Sequence, residues 1–386
     1  MHTGNNHQLS EVLIRVRTGP FDLVITSEPD QSLRIDCAGR WLSLRQGSSF
    51  YRRLMNGSVV RYRHMRDEPQ PVEASESVHG LARELAGQFV DDLRQDSPEV
   101  ELRGSLTDRE RIIDRLECVR AWTEQRWIEW SAQFEAVYPE PVVILPPDRY
   151  QDLVIQPALG CPNGACSFCA FYQDRSFSIL SDAEFERHLE GIQTLLGPSM
   201  GLRDGIFLGS ANALAIPQPT LIDRLRRIAE QLGPRKRQVA AFWDPDHSPR
   251  RTAADWEDLK AQGLSAVYAG LETGLPALRK KLGKSDRIED FKEALRVPRQ
   301  MDMRLGIIVL VGAGGEAFRA AHRTATVQML ESLSWTRSDW IYLSPLSGGL
   351  PQDALQEELE NFTRTLRNSV PARVAPYHIN RFCYFA

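Results

Sequence analysis

The first 65 residues carry short strand-like runs: Val12-Leu13-Ile14-Arg15-Val16, Asp22-Leu23-Val24-Ile25-Thr26, Ser32-Leu33-Arg34-Ile35-Asp36, Trp41-Leu42-Ser43-Leu44 and Ser58-Val59-Val60-Arg61-Tyr62. Gly19-Pro20, Gly39 and Asn56-Gly57 separate them as turn signals. The pattern predicts a small antiparallel sheet. Asp67 to Ser77 is polar with two prolines and reads as a linker. Val78 to Arg94 and Asp108 to Val137 then show helical periodicity, with Thr107 as N-cap and Glu110 three positions on.

From about residue 150 the pattern changes. Apolar runs at Leu153 to Gln156, Gly205 to Leu208, Gln238 to Trp243, Ala266 to Leu271, Leu305 to Val311 and Trp340 to Leu343 alternate with amphipathic stretches such as Asp182 to Leu196, Gln218 to Gln231 and Ala253 to Gln262. Strands that each lead into a helix predict parallel βα units. The fold class is α/β, a partial (β/α)6 TIM-like barrel with an N-terminal β-rich and helical accessory region. Four regions follow: a β-rich 1–66, a linker and helical 67–149, a barrel 150–346, and a C-terminal helix and strand over 347–386. In such barrels the chemistry sits at the C-terminal ends of the strands.

Composition narrows the function. A chain of 386 residues, 42% hydrophobic and 25% charged, has ample material for more than one core. The net charge of −4 carries no nucleic-acid footprint. Two short basic runs, Arg235-Lys236-Arg237 and Lys280, Lys281 and Lys284, read as solvated faces. The longest apolar run, Leu305 to Ala313, falls well short of the roughly 20 residues that cross a bilayer. The N-terminus has no signal pattern, so a cytoplasmic location is expected. Of six cysteines, Cys37, Cys118 and Cys383 are scattered and read as buried small hydrophobes.

The other three lie on one loop after the first barrel strand: Gly160-Cys161-Pro162-Asn163-Gly164-Ala165-Cys166-Ser167-Phe168-Cys169. Thiolates are soft, charged ligands for iron and zinc. Three are one short of a closed zinc site, and the nearest histidine is His188. The deficit favours a [4Fe–4S] cluster with one iron open. A zinc site completed by a distant histidine or cysteine stays open as the alternative.

A C-x4-C-x2-C loop after strand one, with an aromatic before the third cysteine, resembles the radical S-adenosylmethionine superfamily. The usual spacing is C-x3-C-x2-C, and Gly164 is the natural residue to absorb the extra position. Three further segments extend the resemblance over about residues 150–345. Gly209-Ser210-Ala211-Asn212 occupies the place of the Gly-Gly-Glu-like segment that contacts the cofactor's amino group, without the glutamate. Gly270-Leu271-Glu272-Thr273-Gly274 is similar to a segment of the branch that includes the tRNA methylthiotransferases and coproporphyrinogen dehydrogenase-like proteins. Gly306 to Gly315 is similar to the fifth-strand motif that flanks adenine. It lacks G-x-G-x-x-G spacing, which disfavours a nicotinamide fold.

The resemblance implies an oxygen-sensitive enzyme. Cys161, Cys166 and Cys169 would hold the cluster. Phe168, Gly209, Ser210, Asn212, Glu272, Val311 and Gly312 would contact S-adenosylmethionine. Reductive cleavage of that cofactor would give a 5′-deoxyadenosyl radical that abstracts hydrogen from a small-molecule or peptide substrate. The electron would come from a donor such as flavodoxin or ferredoxin. Trp243, Asp244, His247, Tyr268, Tyr342 and Ser344 lie near strand ends and could line the pocket. Two other readings remain: a zinc-binding structural or interaction protein on a TIM-like scaffold, and a cluster-binding member without catalysis.

Overall fold

The computed structural model describes residues 13–27, 30–64, 67–95, 99–209, 211–233 and 238–386. The basic run Arg235-Lys236-Arg237, Ser210 and the first residue of the Val12 strand lie outside them. The chain divides into two compact units. One comprises Met1–Val137, Thr194–Leu202 and Cys383–Ala386; the other Tyr138–Gln193 and Arg203–Phe382.

The first unit opens with β1 (Leu13–Thr18), β2 (Asp22–Ser27), β3 (Gln31–Asp36), β4 (Trp41–Gln46), β5 (Ser49–Arg53), β6 (Val59–Tyr62) and β7 (Gln70–Pro71). α1 (Ser75–Arg94), β8 (Glu99–Gly104), α2 (Arg109–Arg120) and α3 (Glu124–Val137) follow. The sheet has eight strands, ordered β7-β6-β5-β4-β3-β2-β1-β8. It is larger than the runs predict, and β8 pairs parallel to β1, so it is not wholly antiparallel. The polar stretch read as a linker contributes β7, paired to β6. One helical stretch is two, and the cap is Asp108, whose carboxylate accepts the Glu110 N–H at 3.0 Å, rather than Thr107. Alternating positions such as Ile14, Val16, Leu23, Ile25, Leu33 and Ile35 are buried, as are Leu85 and Phe89 of α1. The scattered cysteines are not core residues. Cys37 and Cys383 are half-buried, and Cys118 is exposed because α2 buries Ile112, Ile113, Leu116 and Val119 instead.

The second unit is a parallel βα array. Its elements are β9 (Leu153–Ile155), the two-residue strands β10 (Ala158–Leu159) and β11 (Ser178–Ile179), α4 (Asp182–Leu196, of which the part up to Gln193 belongs to this unit), β12 (Ile206–Leu208), α5 (Gln218–Leu232), β13 (Val239–Trp243), α6 (Ala253–Ala261) and β14 (Leu264–Glu272). They continue as α7 (Pro276–Lys281), α8 (Ile288–Gln300), β15 (Arg304–Val311), α9 (Arg319–Glu331), β16 (Trp340–Pro345), α10 (Gln352–Ser369) and β17 (Arg373–Pro376). The main sheet runs β17-β16-β15-β14-β13-β12-β9, every neighbour pair parallel. β9, β12 and β13 are buried throughout, as strands covered on both faces must be. The partial TIM-like barrel therefore has seven strands, not six. The seventh is β17, the C-terminal strand expected within 347–386, which joins the main sheet beside β16. Tyr384 and Phe385 belong to the first unit, where Phe385 packs with Val60 and Tyr62. No helix of the described residues is long and apolar enough to cross a membrane.

Candidate functional site

The cysteine loop leaves the main sheet after β9 and is closed at its base by the β10–β11 pair. Gly160 turns the chain with φ 69°, and a side chain there would strike the Ser176 carbonyl. Its N–H donates to Glu140 Oε1 at 2.8 Å. The loop is folded by Asn163, which is buried: Oδ1 accepts the Ala165 N–H at 3.1 Å, and Nδ2 lies 3.2 Å from Cys166 Sγ and 3.3 Å from Gly283 O. This side-chain turn accommodates the extra position. Gly164, the residue expected to absorb it, has no left-handed φ and would admit a side chain into open space. The loop is anchored to the turn after α7. Ser167 N–H donates to Leu282 O at 3.2 Å, and Gly283, φ 79°, sits against the Ala165 carbonyl where no side chain fits.

Cys161, Cys166 and Cys169 line one cavity of about 210 Å³ at the C-terminal ends of the strands. Trp243 and Asp244 follow from β13, Gly270 and Glu272 from β14, Ile308 and Leu310 from β15, and Ser344 from β16. Lys284 completes the charged part of the wall. Phe168 also lines it and packs on Leu278, Leu282, Leu310 and Ala313.

Glu272 is held in an uncommon conformation. Its φ is 63°, in the left-handed region, and the β14–β15 register shifts between Gly270 and Glu272. The shift folds the carboxylate back over Gly270, where a Cβ would strike Oε1. Lys284 Nζ lies 3.6 Å from Glu272 Oε1, 3.5 Å from Asp244 Oδ2 and 3.4 Å from Gly270 O. Burial works against the Lys284 ammonium, but Asp244 and Glu272 outweigh it and hold its pKa above normal. Burial also opposes the Asp244 carboxylate, yet Lys284 and His247 leave its pKa well below the usual range. Burial raises that of Glu272. The Asp244 turn is itself fixed: His247 Nδ1 lies 3.2 Å from Asp244 Oδ2, and Arg279 reaches Asp246 Oδ2 at 2.9 Å and Leu271 O at 2.6 Å. Among the described residues Ser344 Oγ is buried without a hydrogen-bond partner, and so is Trp243 Nε1.

The cavity gathers Cys161, Cys166, Cys169, Phe168, Asn212 and Glu272, with Trp243, Asp244, Tyr268 and Ser344. The Asn212 amide is engaged in holding the turn, with Nδ2 3.1 Å from Ser248 Oγ and 3.3 Å from His247 O. Other expected contacts lie outside the wall. Gly209 donates its N–H to Ile155 O at 2.8 Å, and Gly312, φ 86°, packs against Leu355. Val311 points away because strand alternation gives the cavity Ile308 and Leu310. His247 is not in the wall but touches two residues that are, Asp244 and Asn212, and Tyr342 donates to Asp148 Oδ1 at 2.7 Å. His188 Nε2 accepts the Gln156 N–H at 2.9 Å. Two site residues carry no expected role in the sequence. Lys284 ends the Leu282-Gly283-Lys284 segment that extends the resemblance but reads with Lys280 and Lys281 as a solvated face; its side chain is buried while those two are exposed. Asn163 has nothing in the sequence to set it apart from the rest of its loop.

All three thiols are free. Burial pushes the Cys166 thiol up to about 12 and raises that of Cys161, and a metal binding them would have to displace their protons. Among the described residues no three His, Cys, Asp or Glu side chains converge around a single ion. The fit to a cluster rests on the donor set: three soft thiols on one short loop facing one cavity.

Residues 155–325 match the model of the Radical SAM superfamily. Over that span the chain is similar to a superfamily of enzymes that work with a [4Fe–4S] cluster and S-adenosylmethionine. No curated protein matches the chain. Among solved structures it is similar to the cobalamin-dependent S-adenosylmethionine radical enzyme OxsB, at 19% identity over 57% of this chain and 31% of that one, TM-score 0.37. The radical S-adenosylmethionine methyltransferase TsrM from Kitasatospora setae gives 18% identity over 50% and 36%, TM-score 0.39. Coproporphyrinogen III oxidase (HemN) from Escherichia coli gives 14% over 64% and 57%, TM-score 0.45. The chain spans about a third of the first two structures and under two thirds of the third.

Proposed function

We propose that this chain is a radical S-adenosylmethionine enzyme that abstracts hydrogen from a small-molecule or peptide substrate. The observation that carries this reading is the convergence of three free cysteines and a buried Lys284–Glu272–Asp244 group on one cavity at the strand ends. When bound, the [4Fe–4S] cluster and S-adenosylmethionine supply a 5′-deoxyadenosyl radical after one-electron reduction.

The protein's own residues hold, orient and shield. Cys161, Cys166 and Cys169 would hold the cluster. Lys284 offers a fixed positive charge to the cofactor's carboxylate, and Glu272 an acceptor to its amino or ribose groups. Phe168, Ile308 and Leu310 give an apolar wall for adenine, and with Tyr268 and Trp243 they exclude water from a reactive centre. Ser344 Oγ has an unspent hydrogen-bonding group for whatever enters. The electron would come from a donor such as flavodoxin or ferredoxin.

Anaerobic reconstitution followed by reduction with dithionite in the presence of S-adenosylmethionine tests this. The expected result is a brown protein that releases 5′-deoxyadenosine. A colourless protein with bound zinc contradicts it. A loaded cluster without 5′-deoxyadenosine assigns the chain to cluster binding without catalysis.

A further inference from the structure

The hydrogen bonds of Asn163 do two separate things. The Oδ1 bond to Ala165 N–H makes the turn, while Nδ2 faces the sulfur of Cys166 at 3.2 Å and the Gly283 carbonyl at 3.3 Å. The amide can sit only this way round. Exchanging its oxygen and nitrogen would set N–H against the Ala165 N–H and carbonyl against the Gly283 carbonyl. Two hydrogens on Nδ2 serve the sulfur and the carbonyl together. Solvent does not compete, since Asn163 is 7% exposed. Cys166 also lies within the field of the Lys284 ammonium. Hydrogen bonds to cluster sulfurs and nearby charge are two of the levers that set an iron–sulfur potential. Both withdraw electron density from the sulfur and favour the state carrying the extra electron.

We propose that Asn163 raises the reduction potential of the cluster by donating an N–H···S bond to the Cys166 thiolate. The inference rests on the radical S-adenosylmethionine reading and adds a tuning residue to it. The reaction affected is uptake of one electron by the oxidised cluster from an external one-electron donor.

The test is a potentiometric titration followed by electron paramagnetic resonance on the reconstituted full chain, with iron and sulfide counted. Asn163→Asp keeps the acceptor for Ala165 N–H, removes the donor and adds negative charge; Asn163→Ala removes everything. In Asn163→Ala the ratio of reduced to oxidised cluster at a fixed potential should fall about tenfold, which for one electron is a shift of about 59 mV. Asn163→Asp should fall further. A purely structural role would lower the iron count and leave the potential where it was. Unmoved potentials in fully loaded variants overturn the proposal. If neither variant loads, wild-type protein labelled with ¹⁵N-asparagine decides. A hyperfine coupling from one side-chain amide to the reduced cluster supports the bond, and its absence overturns it. A wild type that forms no four-iron cluster is a different result and removes the underlying reading.

Discussion

Both units bury a cation, and they use it differently. In the first, Arg40 donates to Asp36 Oδ2 at 2.5 Å, Leu195 O at 2.6 Å and Leu196 O at 3.0 Å, with its guanidinium 4.7 Å from the Trp130 ring centre. Around it Trp41 donates to His79 Nδ1 at 2.9 Å, and His79 stacks on Trp127 at 4.5 Å. In the second unit, Lys284 stands 3.4 to 3.6 Å from its three oxygens and faces a cavity. A buried charge whose donors are consumed at short range holds the fold together. One left loosely partnered beside strained Glu272 and unpartnered Ser344 is available to a ligand.

The largest expected effect is at the cysteines. Replacing Cys161, Cys166 or Cys169 with Ala should abolish iron loading while leaving the far-ultraviolet circular dichroism unchanged, measured by iron analysis and spectroscopy. Next come the two cations. Arg40→Ala should cost about 3–5 kcal/mol in denaturant unfolding, because Asp36 is left buried and unpaired, and should not alter S-adenosylmethionine binding. Lys284→Met should cost a similar amount, because Asp244 and Glu272 lose the cation they share, and should lose that binding. Binding intact in both would break the contrast.

Ser344→Ala sharpens it. Removing a buried hydroxyl that has no partner should leave stability unchanged or raise it by about 1 kcal/mol. Affinity for the molecule that fills the cavity should drop a few-fold by calorimetry. The smallest effects are in pH. Burial pushes His79 down to about 3, so its unfolded form takes up a proton that the folded one refuses. The first unit should lose stability as pH falls from about 6.5 toward that value. His247 goes the other way. Its hydrogen bond to Asp244 raises its pKa, so its pair is complete below about 6.5 and fades as pH rises through the raised value. Ring chemical shifts of the two histidines check both directions.

Much of the second unit was legible because its strands are continuous apolar runs buried on both faces; α4 was placed to the residue. The strands missed in the first unit are those with little apolar content. β5 ends in Arg52-Arg53, and β8 alternates Glu99, Glu101 and Arg103. What makes β8 a strand is a distant partner, with Arg15 reaching Glu101 at 3.2 Å across the parallel pair. The alternation Glu99-Val100-Glu101-Leu102-Arg103 is a strand pattern in itself, but nothing local names β1 as its partner. In the site, the cysteine spacing and the glycine-flanked Glu272 were readable. Lys284 was not, because the left-handed turn at Gly283 that buries it looks in sequence like the end of a solvated basic run.

Electron paramagnetic resonance of the reduced, reconstituted wild-type chain, recorded with and without S-adenosylmethionine, tests the central claim most directly. A four-iron cluster held by three cysteines beside Lys284 and Glu272 predicts a [4Fe–4S] signal whose shape changes when the cofactor is added. A protein that binds zinc and gives no signal, or a cluster signal indifferent to the cofactor, would contradict it.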